Sequence, residues 1–160
     1  MRKIILSVIC LFLLNDSFTQ SLTVTGGWTR TLSNTNITQA GLDYATGGTL
    51  SAAVNQSTIN VNSAANSIAY IYIQKSDVSW DTRLILAALR TGTGTGSTNF
   101  STTNGTTALT ITNTPQYFFE VRPGSGTQVS NIPIQYTIKG FTVLLPAKTY
   151  TTTLLYTVSN

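Results

Sequence analysis

The sequence predicts an all-β fold: one antiparallel β-sandwich of about eight to ten strands. Three observations carry this reading. Threonine, with serine and asparagine behind it, dominates a chain in which only 9% of residues are charged. Its β-branched, polar side chain suits the solvent face of a strand. Alternating apolar and polar runs recur between Gly, Asn and Pro turn signals at a spacing of roughly 8–12 residues. No long stretch carries the 3.6-residue apolar period of an amphipathic helix.

Residues 1–20 are set apart from that pattern. Arg2 and Lys3 precede the apolar run IILSVICLFLL, residues 4–14, and the polar NDSFTQ follows. This reads as a secretory signal peptide; the run is too short for the alternative, a membrane anchor. Cys10 follows Ile9, which is not the small residue that lipid attachment at a cysteine requires. Cleavage near Gln20 or Ser21 leaves one β-sandwich domain, residues 21–160, with no cysteine and so no disulfide. A cysteine-free exported domain fits bacterial extracellular or periplasmic export better than a eukaryotic secretory route. Losing Arg2, Lys3 and Asp16 takes the net charge from +4 to +3. The remaining basic residues are scattered singly, with no basic stripe, which speaks against nucleic acid as a partner.

The elements follow in order. Residues 21–32 alternate and are broken at Gly26-Gly27, where a bulge or kink is expected. Residues 34–48 read as a loop. Residues 49–54 and 57–62 are short strands about a turn at Asn55-Gln56. SIAYIYIQ, 67–74, is apolar, β-branched and aromatic, hence a central strand. SDVSWDT, 76–82, interrupts. RLILAALR, 83–90, fits a strand buried on both faces or two turns of helix; the TGTGTGS that follows offers no helix cap, which favours strand. Residues 91–107 read as a low-complexity linker or long hairpin loop, unable to contribute to a core. Strands are expected at 107–112, 115–122, 132–145 and 148–158, with turns at Asn104-Gly105 and Pro123-Gly124. Period two places Ile132, Ile134, Tyr136 and Ile138 on one face, and Tyr150, Leu154, Tyr156 and Val158 on one face. The run Tyr117-Phe118-Phe119 is expected to point adjacent rings to opposite sides of its strand.

Little in the sequence carries chemistry. Histidine is absent, which removes the commonest general base and the usual zinc ligands. After the signal only Asp43, Asp77, Asp81 and Glu120 are acidic, so the reading is non-catalytic, without metal or cofactor. Trp28 is expected in the core. Asp77 and Asp81 flank Trp80, an aromatic ring between carboxylates that suits glycan contact, or a plain turn capped by its aspartates. The Asn-x-Ser/Thr matches at 36, 55, 99 and 104 are chance products of this composition.

The C-terminal run PAKTYTTTLLYTV, residues 146–158, resembles the closing strand of spore-coat-U-like proteins and chaperone–usher fimbrial subunits, with Lys148 where glycine is common. The resemblance implies an Ig-like or pilin-like sandwich and assembly by strand exchange, in which an extended segment of one subunit completes the sheet of the next. The candidate donor is Ser21–Thr25, with Leu22 and Val24 on one face; the acceptor edge would run beside Tyr150, Leu154, Tyr156 and Val158. The alternative within the fold is a complete sandwich whose two ends pair internally, since the strands suffice for two sheets. Two functions follow as expectations. One is an exported extracellular or cell-surface structural or adhesive subunit, whose partner is itself, as homo-oligomer or fibre. The other is a carbohydrate-binding module that meets surface glycans through Asp77, Trp80 and Asp81. No membrane span is expected once the signal is removed.

Overall fold

The computed structural model describes residues 20–31 and 48–160. The signal segment 1–19 and most of the 34–48 loop lie outside them. Among the described residues the chain is all-β and forms two antiparallel sheets. In order, the strands are β1 Ser21–Thr25, β2 Thr49–Ser51, β3 Ser57–Asn62, β4 Ala69–Ser79, β5 Ile85–Arg90, β6 Thr95–Gly96, β7 Ser101–Thr103, β8 Leu109–Thr110, β9 Gln116–Arg122, β10 Gln128–Lys139 and β11 Thr151–Ser159. The first sheet runs β1-β3-β10-β5-β8, with β2 and β6 also on β10; the second runs β11-β4-β9-β7. The β-sandwich expected from the sequence is the observed architecture.

The β10 strand organises the first sheet. Its residues 128–134 pair with β3 and its residues 137–139 with β2, so β2 and β3 lie end to end along one flank. They are therefore not a hairpin, although the turn at Asn55-Gln56 is present. The other flank repeats the arrangement with β5 and β6. Pro133 lies in the gap between those two. Its carbonyl accepts from Thr91 N at 3.0 Å, and its missing N–H falls on the interrupted flank, where a central strand tolerates proline. The strand is shorter at its far end than 132–145 suggested: it stops at Lys139, before Gly140 at φ +89°.

Each inner face follows period two. Ile59 and Val61 of β3, Ile132, Ile134 and Tyr136 of β10, and Leu86 and Ala88 of β5 pack against Ala69, Ile71 and Ile73 of β4 and Val121 of β9. Of the 83–90 segment, Ile85–Arg90 is strand and none of it is helix. Three expectations are corrected. First, β4 runs through to Ser79, so 76–79 extends the central strand and the interruption is confined to 80–82. Second, residues 91–107 are not a free linker. They place β6 in one sheet and β7 in the other, pack Phe100 against the core, and bury Thr102. Third, Phe118 and Phe119 are both buried, at 3% and 0% exposure, while Tyr117 is 39% exposed. A register shift between Ile71↔Phe119 and Tyr72↔Tyr117 leaves Phe118 as an extra residue. Such a bulge turns two successive side chains to the same face.

At its start the chain departs from 21–32 as one strand. β1 ends at Thr25, and Gly26 takes φ +96°, where a Cβ would lie 2.6 Å from the Gln56 carbonyl oxygen. The glycine ends the strand rather than bulging it.

Candidate functional site

Two outer strands define one side of the sandwich. β1 is an edge of the first sheet and β11 of the second. Their outer ends meet where Gln20 Nε2 donates to Ser63 Oγ at 3.0 Å and to Asn160 Oδ1. On the opposite side the sheets end on β7 and β8, of three and two residues. Short edges offer little to pair with. β11 is nine residues long, without proline or charge, and among the described residues its ladder partner is β4 alone. Among the described residues the terminal strand thus finds one ladder partner, and its own sequence carries neither the proline nor the charge that commonly protects an edge.

The predicted interface residues divide. Leu154, Tyr156 and Val158 pack on the core, as period two required, and Leu22 joins them from β1. Tyr150 precedes β11 and donates its hydroxyl to Pro146 O at 2.7 Å. Val24 is 39% exposed. β1 itself pairs with β3 over five residue pairs, Ser21↔Asn62 to Thr25↔Thr58.

Between the two sheets, where β1 ends and β11 begins, a cavity of about 890 Å³ opens. Its deep wall is apolar, formed by Leu84 and Leu86 with Tyr136 and Tyr156. The two phenols meet there, hydroxyl to hydroxyl at 2.9 Å. Trp28 and Trp80 both line the space and are both partly buried against the core, so the expectation for Trp28 holds in part. Tyr136 and Tyr156 were legible as inward-facing. Their contact was not, because it joins strands from two different sheets.

Burial, reinforced by Tyr136, pushes the Tyr156 phenol well above its ordinary value. The folded chain therefore keeps this proton to higher pH than the unfolded chain, whose tyrosines release theirs near pH 10. The stability it contributes is fully present below about pH 10 and falls as pH rises beyond it. Tyr156→Phe should cost about 1 kcal/mol at pH 7, through the lost hydrogen bond, and should flatten the decline above pH 10. Urea unfolding midpoints of both forms at neutral and alkaline pH measure this; parallel declines would overturn it.

The predicted glycan residues do not converge on an open platform. Trp80 Nε1 donates to Leu84 O at 2.8 Å, and Lys75 Nζ stands 5.8 Å from its ring centre. Although burial pushes it up, Asp77 is held below its usual range by hydrogen bonds from Lys75, Asn113 and Thr152. Asp81 lies well below its usual range because Arg83 grips it through side chain and backbone, at 2.8, 2.8 and 3.0 Å. Both carboxylates are already engaged by cations of their own chain.

No group of three or more His, Cys, Asp or Glu side chains that could hold a metal ion occurs among the described residues. No helix among them is long and apolar enough to cross a membrane. Comparison with protein-family models, with curated proteins and with solved structures returns no match.

Proposed function

We propose that the chain is an exported, non-catalytic structural or adhesive subunit of an extracellular or cell-surface assembly, joined to further copies of itself by strand exchange. The observation that supports this most is the shared margin of β1 and β11: a long, uncharged, proline-free edge beside a short strand that, among the described residues, has one ladder partner. β1 is mostly exposed and ends at Gly26-Gly27. Transfer of β1 to the β3 of a second copy would reproduce the same five pairs between molecules, the low-cost route by which identical elements swap. The N-terminal segment 1–20 supplies export in this reading. Glycan binding through Asp77, Trp80 and Asp81 is supported less, since their polar groups already have partners.

The test is light scattering of residues 21–160 over a concentration series, beside a form lacking residues 21–25. A further form carries Thr23→Cys and Asn60→Cys, which face each other across β1 and β3. The intact chain should assemble and the truncated one should not. The cysteine pair should assemble when reduced and stay monomeric when oxidised, because the bridge locks β1 at home. Monomers throughout would refute exchange.

A further inference from the structure

The geometry points to the cavity between the sheets as a binding site for an amphiphile with a single anionic head, of the fatty-acid class. Its size lies within the range of about 300–1,000 Å³ typical of small-ligand sites, and such sites are mainly apolar with a few placed polar groups. Here the deep wall is leucine and tyrosine, and the hydroxyls of Tyr136 and Tyr156 share one hydrogen bond. That wall offers a tail dispersion contacts, and the shared hydrogen bond lowers the cost of covering the two phenols.

The mouth has a definite sign. The charged side chains lining the cavity are Arg30 and Lys148, both exposed, and no carboxylate lines it among the described residues. Neither cation forms an ion pair among the described residues; Lys148 Nζ rests 5.1 Å from the Tyr150 ring centre. Asp81 is near enough to feel Lys148, but Arg83 already holds both its oxygens. A chamber with an apolar deep wall, and two cations at its rim that no described carboxylate pairs, is complementary to a hydrocarbon body ending in one carboxylate. A neutral apolar ligand would gain nothing from the rim, and a cationic one would be repelled by it. Occupancy does not require assembly, so this site stands or falls independently of strand exchange.

Trp28 and Trp80 line the cavity and serve as built-in reporters. The experiment titrates the protein with cis-parinaric acid, following its fluorescence and the quenching of tryptophan. The methyl ester of the same chain is titrated in parallel, removing the charge and keeping the tail. Wild type should bind the acid saturably and the ester about tenfold more weakly, the ratio that 1.4 kcal/mol of head-group interaction gives. Arg30→Gln with Lys148→Gln, two exposed substitutions, should bring the acid down to the ester. Leu154→Trp, which fills the cavity from β11, should abolish binding of both while circular dichroism reports a folded chain. Absence of saturable binding by wild type would overturn the site. Equal affinity for acid and ester, or binding indifferent to the paired glutamines, would overturn the anionic head. Should Leu154→Trp fail to fold, the glutamine variant and the ester still decide.

Discussion

Replacing Arg90 with methionine should lower the free energy of unfolding by about 3 kcal/mol, the signature of buried hydrogen-bond acceptors left without donors. Arg90 closes β5 and is 5% exposed. Its Nε donates to Asn104 O at 2.8 Å, Nη1 to Gly92 O at 2.6 Å and Thr102 Oγ1 at 3.1 Å, and Nη2 to Thr102 O at 3.4 Å. Among the described residues no carboxylate pairs with it; carbonyl oxygens take the place of a counter-ion. Burial lowers its pKa, yet a guanidinium remains protonated in proteins. The groups it grips lie before β6, within β7 and just after it, on both sides of the crossing between the sheets, so one side chain fastens the two layers at that corner. Methionine fills similar space and supplies no donor. Lysine should rescue little, since a point charge cannot reproduce the planar fork. Arg122→Met on the exposed end of β9 should change stability by no more than about 0.5 kcal/mol. Urea denaturation of the three variants measures this. A loss below about 1 kcal/mol at Arg90 would mean that packing of Phe100, rather than the guanidinium, holds the crossing.

That corner also marks the limit of what the sequence discloses. The inward face of β10 and that of β11 were legible because period two needs only local alternation, and Ile132, Ile134, Leu154 and Tyr156 obey it. Residues 91–107 were not. Their glycines and hydroxyls look like linker until an arginine outside the run turns inward and hydrogen-bonds them, a pairing no local rule encodes. The cavity was hidden for a related reason. Trp28, Trp80, Tyr136, Tyr156 and Lys148 come from five separate segments, and only the meeting of two sheets brings them around one space. The aspartates at 77 and 81 suggested a site because they flank a tryptophan. The fold gives each of them a neighbouring cation instead, Lys75 and Arg83, both visible two residues away.

Phe119→Ala should cost about 3–5 kcal/mol, and Phe118→Ala should cost nearly as much. On a regular strand that pair of results cannot occur: adjacent side chains face opposite ways, and one truncation would be mild. The bulge at Phe118 makes both rings core residues, set edge to face with centres 5.1 Å apart. Each truncation therefore removes a large apolar surface and also an aromatic contact of about 0.5–1.5 kcal/mol. The double variant should lose less than the sum of the two, because that contact is counted in both single losses. Tyr117→Ala gives the contrast. Its ring leans on Tyr70 and Tyr72 on the outer side of β4, and its hydroxyl accepts from Asn104 Nδ2 at 2.7 Å. Being half exposed, it should cost about 1 kcal/mol. Denaturant midpoints for the four variants decide between the two geometries. Two large losses and one small establish the bulge in solution. A large loss at Phe119 with a small one at Phe118 would return the strand to simple alternation and take one ring out of the core.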